Sequence, residues 1–261
     1  MTILDEILAH KREELATIRA ALPLDEVRRM AADQPPARAF RQALEGSELA
    51  VIAEVKRRSP SAGVIRAQAE PAAVAAVYEA AGASAVSVLT DAQYFGGCAD
   101  DLRAVRRRIG LPVLRKDFTL DAYQLWEARA MGADAILLIV RALPPSQLSD
   151  LIALAGELGM ASLVEVHEER EADAAVAAGA SIIGINNRDL GRMVTDLATT
   201  ERLRPRIPPG QLVVSESGIS SRAQVERVLA VGVDAVLVGE ALMAAGDPAA
   251  ALRALRSENS T

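Results

Sequence analysis

Ala81-Gly82-Ala83-Ser84-Ala85-Val86, Met131-Gly132-Ala133-Asp134-Ala135-Ile136, Ala178-Gly179-Ala180-Ser181-Ile182-Ile183 and Val231-Gly232-Val233-Asp234-Ala235-Val236 carry one pattern four times. In each copy a glycine closes an alanine-rich helical stretch, and a short polar residue leads into an apolar, mostly β-branched run. Gly82, Gly132, Gly179 and Gly232 lie 50, 47 and 53 residues apart. That period is too long for one strand and one helix and suits two of each. Four double units make eight, the number that closes a parallel (β/α)8 TIM barrel. In that fold the chemistry collects where the strands end. An open doubly wound sheet is the second reading, but no Gly-x-Gly-x-x-Gly follows the first strand to favour it.

The bulk composition agrees with a barrel. The chain has 261 residues, enough for one domain or two, and barrels of about 250 residues commonly form one. Hydrophobic residues make up 51% and aromatic ones only 3%, so the core must be built from Ala, Val, Leu and Ile. Parallel strands covered by helices suit that supply. A net charge of −6 offers no basic excess for a duplex, which argues against a nucleic-acid partner. Cys98 is the single cysteine, so no internal disulfide or thiolate metal cluster forms. His10 and His167 are too few and too distant in sequence to suggest a zinc site. The early acids Asp5 and Glu6 do not resemble a signal peptide, and no apolar run reaches the ~20 residues that span a bilayer. These features lead us to expect a cytoplasmic protein with no membrane partner.

Residues 1–47 read as a helical extension, 48–256 as the barrel, and 257–261 as a tail expected to fray. Ile3, Leu4, Ile7, Leu8, Leu15 and Ile18 have amphipathic helical spacing. Leu22-Pro23-Leu24-Asp25 breaks that helix, a second runs to about Ala32, and a third is expected from about Ala37 to Glu45. This leader either caps the bottom of the barrel or forms a lid over its active face. Strands are expected near 51–56, 84–89, 112–116, 134–139, 161–166, 181–186, 212–216 and 234–238.

Polar residues end six of these strands. In Ile52-Ala53-Glu54-Val55-Lys56, residues 52, 54 and 56 share a face, which brings a carboxylate and an ammonium to the mouth together. A structural ion pair would explain them; so would function, because unpaired charges are rare in apolar interiors. Lys116 sits at the lip of the third strand, either as an acid catalyst or as a solvated loop residue. Glu165 shares the face of Leu163 on the fifth strand, and the sixth and seventh end in Asn186 and Glu216. Three glutamates and two lysines thus converge on one cavity and supply acid and base roles. The loops Ser217-Gly218-Ile219-Ser220 and Gly239-Glu240-Ala241-Leu242 follow strands seven and eight, where such barrels often hold a phosphate. Ser59 could add a hydroxyl donor. His167 is expected on the surface of its loop, His10 as a solvated helix residue, Arg106-Arg107-Arg108 as a wet helix face, and Cys98 without a catalytic part.

The ordered set Ile52-Ala53-Glu54-Val55-Lys56 with Ser59-Pro60-Ser61, Leu89-Thr90-Asp91 with Tyr94-Phe95-Gly96-Gly97, Lys116-Asp117-Phe118, Leu163-Val164-Glu165-Val166-His167, Asn186-Asn187-Arg188-Asp189-Leu190 and Ser215-Glu216-Ser217-Gly218-Ile219 resembles indole-3-glycerol phosphate synthase over essentially the whole chain. The resemblance implies a tryptophan-biosynthetic lyase acting on 1-(2-carboxyphenylamino)-1-deoxyribulose 5-phosphate, with no cofactor and no metal. It implies Lys116 as general acid at the substrate carbonyl and Glu165 as general base. Glu54, Lys56, Asn186 and Glu216 form the polar shell, with Lys56 on the anthranilate carboxylate. Arg188 either supports that carboxylate or pairs with a nearby acid. Ser59, Ser217, Gly218, Gly239 and Glu240 match the phosphate site, and Phe95, Phe118, Leu137, Leu190 and Val238 the wall around the aromatic ring. The resemblance also leaves room for association with other tryptophan-pathway enzymes.

Three positions depart from the family pattern: Ala62, Arg192-Met193, and Glu240, whose carboxylate must turn away from a phosphate. Two rival functions remain open on residues alone. One is a phosphosugar aldolase or isomerase with a Schiff base on Lys56 or Lys116. The other is a binding module for a phosphoribosyl ligand.

Overall fold

The repeat glycines end their helices in the left-handed region, with φ of 91° at Gly82, 89° at Gly132, 81° at Gly179 and 87° at Gly232. A residue with a Cβ is strained there, which is why each copy of the pattern keeps glycine. The polar residue two positions on stitches neighbouring strands together. Ser84 Oγ accepts from Val51 N (3.3 Å), Asp134 Oδ2 from Val113 N (2.8 Å) and Asp234 Oδ2 from Val213 N (2.7 Å). Ser181 uses its main chain, its carbonyl accepting from Leu212 N at 3.0 Å. The motif therefore marks the start of every even-numbered strand.

The computed structural model describes residues 2–46, 49–189 and 194–256. Eight strands, β1 (Ala50–Val55), β2 (Ala85–Leu89), β3 (Val113–Lys116), β4 (Ala135–Ile139), β5 (Ala161–Val166), β6 (Ile182–Asn186), β7 (Leu212–Glu216) and β8 (Ala235–Val238), pair in sequence order. All pairings are parallel, and β8 returns to β1 with Ala235 opposite Ala50, so the sheet is a closed (β/α)8 barrel and not an open one. Each observed strand lies within about a residue of its expected span.

The helices are α1 (Ile3–Ala21), α2 (Leu24–Ala32), α3 (Phe40–Ala43), α4 (Pro71–Ala80), α5 (Ala92–Phe95), α6 (Ala99–Arg108), α7 (Ala122–Met131), α8 (Pro145–Glu157), α9 (Glu169–Ala177), α10 (Ala198–Leu203), α11 (Arg222–Leu229), α12 (Glu240–Ala244) and α13 (Pro248–Arg256). Two cores follow from strand alternation. Ile52, Leu114, Leu137, Leu163 and Val214 fill the barrel interior, while Val51, Val86, Val113 and Val164 face the surrounding helices. Among the described residues no helix is long and apolar enough to cross a membrane.

The leader touches both ends of the barrel. Phe40 and Leu44 pack with Ala50 and Ile52 in the interior core, closing the bottom. Ile3, Leu4 and Ile7 line the pocket at the opposite end. A helix of 19 residues spans roughly 28 Å, which lets α1 run the height of the barrel wall. On the way Leu15 packs with Val27, Tyr123 and Ala130. The Arg106 guanidinium, expected in solvent, instead pairs with Asp134 at 3.1 Å and bonds the Gly132 carbonyl; Arg107 and Arg108 stay exposed. The repeat's buried Asp134 draws it inward.

Candidate active site

Every strand end expected to be polar points toward the same mouth. Lys116 ends β3, and its Nζ lies 3.6 Å from Glu165 Oε2 on β5 and 3.6 Å from Glu216 Oε2 on β7. Lys56, just beyond β1, sets its Nζ 2.7 Å from Glu54 Oε1. Glu54, Glu165 and Glu216 are buried, so these charges meet with little water to screen them.

Two compartments meet at this cluster. One, of about 110 Å3, is lined by Phe95, Phe118, Leu137 and the leader's Ile3, Leu4 and Ile7. The Phe95 and Phe118 rings stand 6.1 Å apart and tilted, making an aromatic wall. The other, of about 440 Å3, lies over the loops after β7 and β8, against Ser217, Gly218, Gly239 and Glu240. Glu54, Lys56, Lys116, Arg188 and Ser217 border both. Glu165 and Asn186 face the apolar compartment and Glu216 the polar one.

Two residues sit differently from what the resemblance implies. Ser59 borders the apolar compartment, its Oγ accepting from Ala62 N at 3.1 Å, which is the amide of one departing position. Val238 packs into the outer core, because alternation on β8 turns Leu237 inward. Leu190, the Arg192-Met193 pair and the tail 257–261 lie outside the described residues.

Glycines make room for the carboxylates. A Cβ on Gly184 would overlap Glu216 Oε1, and one on Gly239 would overlap Glu54 Oε1. Gly239 was expected to serve a phosphate; it also admits Glu54. In the loop after β7, Ser217 and Gly218 are both left-handed, with φ of 66° and 81°. A serine held there stores strain of about 1 kcal/mol or more, which functional loops often carry. Asn187 holds this loop in place. Its Nδ2 reaches the carbonyls of Glu216 (2.9 Å) and Ser217 (3.0 Å), while its Oδ1 accepts from Thr200 N and Oγ1. Sequence reading gave Asn187 no role, since nothing local tells it from Asn186.

Protonation follows from the neighbours. Burial disfavours the Lys116 ammonium, but Glu165, Glu216 and Glu54 outweigh it and hold the proton on well above the ordinary lysine range. Burial also opposes the Glu165 carboxylate, yet Lys116, His167 and Asn186 keep it ionised, well below the ordinary range. Glu216 goes the other way. Burial and the negative Glu165 and Glu54 raise it against the pull of Lys116, and among the described residues its Oε1 has no hydrogen-bond partner. The mouth thus holds an ammonium, a carboxylate base and a neutral carboxylic acid within reach of one another.

Two charged residues were misjudged or unremarked from sequence. His167 was expected on the surface but is buried, between Glu165 and Glu171. Lys11 of α1 is 2% exposed and pairs with Asp91 and Asp117, each at 3.0 Å. His10 is partly exposed and meets the Tyr94 ring edge-on. At the rim Arg188 donates to Ser61 Oγ and Thr195 Oγ1 and pairs with Glu240 at 3.2 Å. The Glu240 carboxylate is thus engaged by Arg188, which borders the same compartment.

A family model described as indole-3-glycerol phosphate synthase matches residues 4–255. Proteins named indole-3-glycerol phosphate synthase are similar along nearly their whole length. The one from Acidithiobacillus ferrooxidans is 51% identical over 97% of this chain and 98% of its own. The one from Streptomyces griseus is 49% identical over 97% and 94%, and that of Chlorobium luteolum 50% over 93% of each. Among solved structures, thiamine phosphate pyrophosphorylase from Pyrococcus furiosus covers 80% of this chain and 94% of its own with a TM-score of 0.60. At 21% identity that match speaks for the shared barrel alone.

Proposed function

The chain belongs to the indole-3-glycerol phosphate synthase family, and on that premise we propose how its mouth closes the indole ring. The substrate is 1-(2-carboxyphenylamino)-1-deoxyribulose 5-phosphate, the product indole-3-glycerol phosphate, and carbon dioxide and water leave. The enzyme is a carbon–carbon lyase of tryptophan biosynthesis.

The observation that carries this reading is the position of Lys116, 3.6 Å from both the Glu165 and the Glu216 carboxyl, where the aromatic-walled compartment meets the polar one. The aryl ring fits against Phe95, Phe118 and Leu137, with its carboxylate toward Lys56. The phosphate takes the loops at Ser217, Gly218, Gly239 and Glu240, where the first-turn amides of α12 lack helical partners. Anchored at both ends, the flexible chain is held so that the aryl carbon and the carbonyl meet.

As the aryl carbon attacks, negative charge grows on the carbonyl oxygen, and the Lys116 ammonium stabilises it and gives it a proton. The carboxylate departs as carbon dioxide and leaves its electron pair in the ring. Glu165 then takes the proton released as the new double bond forms, and the hydroxyl leaves as water after protonation from this acid-rich wall. Glu54 holds Lys56, and Asn186 lines the apolar compartment together with Glu165. The firmly protonated Lys116 weighs against a Schiff base, which needs a free amine. The reading extends to cytoplasmic residence and to association with other enzymes of tryptophan synthesis.

The test is to mix the purified protein with the carboxyphenylamino substrate, without added metal or cofactor, and record indole fluorescence. Turnover is expected; no fluorescence at any enzyme concentration would overturn the reading.

A further inference from the structure

His167 takes no part in the reaction as drawn, yet each of its ring nitrogens faces a carboxylate oxygen, Nδ1 in a hydrogen bond and Nε2 in a charge contact. It follows β5 directly and is 7% exposed. Nδ1 lies 3.2 Å from Glu171 Oε2 and Nε2 lies 3.3 Å from Glu165 Oε1. The His167 main-chain N–H donates to the same Glu171 oxygen at 2.7 Å, and Arg141 Nε donates to the other at 2.8 Å. Glu171 sits in the first turn of α9, four residues on, so the clamp is built into the β5–α9 loop. The two oxygens of Glu165 are thereby divided: Oε1 faces His167 and Oε2 faces Lys116.

The charges around the ring favour an imidazolium. Glu165 lies on its own strand, Glu171 on α9 and Arg141 in the turn after β4. Across the cleft toward β6 and α10 stand Arg188, Asp189, Asp196 and Arg202, two of each sign. Both ring nitrogens face carboxylate oxygens, an arrangement that asks for a proton on each. Burial works against the cation, but the two glutamates push its pKa up to about 9.

Resting on the ring-closing reading above, we propose that His167 is a positioning residue for Glu165: it holds Oε1 so that Oε2 faces the substrate, and it supplies the positive charge beside that carboxylate when Lys116 gives up its proton. In that step the proton passes from Lys116 Nζ to the substrate oxygen and the lysine becomes a neutral amine. Glu165 would then lose the counter-charge on Oε2 before it acts as base. His167 keeps its own proton throughout and remains the cation on Oε1.

The experiment compares the pH dependence of kcat and KM for the wild-type protein, His167→Gln and Glu171→Gln, with indole fluorescence as readout. His167→Gln removes the charge and keeps a donor. It is expected to lower kcat about 10- to 100-fold with KM nearly unchanged, and to move the acid limb of kcat up by about one pH unit as Glu165 binds its proton more readily. Glu171→Gln keeps the imidazole but takes away its second anion, so the alkaline limb of kcat should move down; this variant decides the matter if His167→Gln does not fold. A wild-type protein without turnover would sink the ring-closing reading itself. With an active wild type, the inference about His167 is overturned if neither limb moves, whether or not kcat or the melting temperature falls.

Discussion

Glu165 and Glu216 approach the same ammonium at the same 3.6 Å, yet one stays ionised and the other keeps its proton. Lys116 favours both anions equally by distance, so the difference lies behind them. Glu165 is backed by His167 and Asn186. Glu216 is backed by no such donors, with its Oε1 unpartnered among the described residues. One cation cannot hold two buried carboxylates, and the better-supported one takes it. An acid and a base thus come from the same residue type a few ångströms apart.

Lys116→Met should leave the fold intact and remove turnover. The loss expected of a general acid is about 10²- to 10⁴-fold in kcat. Circular dichroism would check the fold and indole fluorescence the rate. Near-normal activity would show that Lys116 only balances charge.

Stability should depend on pH through Glu216. In the folded chain its pKa is raised to about 8, whereas unfolded it returns to the ordinary value of 4.5. Between those values the folded state binds the extra proton, so stability falls as pH rises through the window. Glu216→Gln cannot ionise, and its melting temperature should gain on the wild type from about pH 5 to about pH 8. Parallel curves would mean that Glu216 is ionised in the folded protein.

Lys11→Met should destabilise by about 3–5 kcal/mol, the usual result of removing one partner from buried charges. Asp91 and Asp117 would remain buried, Asp117 with Arg115 and Thr90 but Asp91 without its cation. Because α1 brings Ile3, Leu4 and Ile7 to the pocket, KM should rise as well. Urea denaturation and kinetics measure the two effects; a loss below about 1 kcal/mol would mean that the network is energetically neutral.

Gly184→Ala should cost about 1–3 kcal/mol and lower kcat, since the new methyl displaces Glu216 and crowds Leu163 Cδ1 at 3.2 Å. Double substitution with Glu216→Gln should not relieve the steric part, whereas Glu216→Ala should. Wild-type stability and rate in Gly184→Ala would show that Glu216 adopts another rotamer at no cost.

Glycine-closed helices leading to a polar residue and an apolar run are local signals, and they recur often enough here to count the strands. Side-chain alternation then placed Glu54 and Glu165 at the mouth, because direction along a strand depends only on position, and Lys116, Asn186 and Glu216 were legible as polar residues at strand ends. His167 was unreadable for the opposite reason. It meets Glu171 and, through it, Arg141 from another turn of the barrel, contacts that alternation along β5 does not indicate. Lys11 looked like any charge on an amphipathic helix until Asp91 and Asp117 met it from two different loops.

The chain's order of residues thus determined the barrel, its strand boundaries and the inventory of groups at its open end, since backbone conformation and alternation act over a few neighbours. Only the tertiary structure decided which carboxyl keeps a proton, why Gly184 and Gly239 are glycine, and how α1 and α3 reach opposite ends of one barrel. Those outcomes are set by burial and by charges brought together from distant segments, and no local stretch of sequence contains both partners.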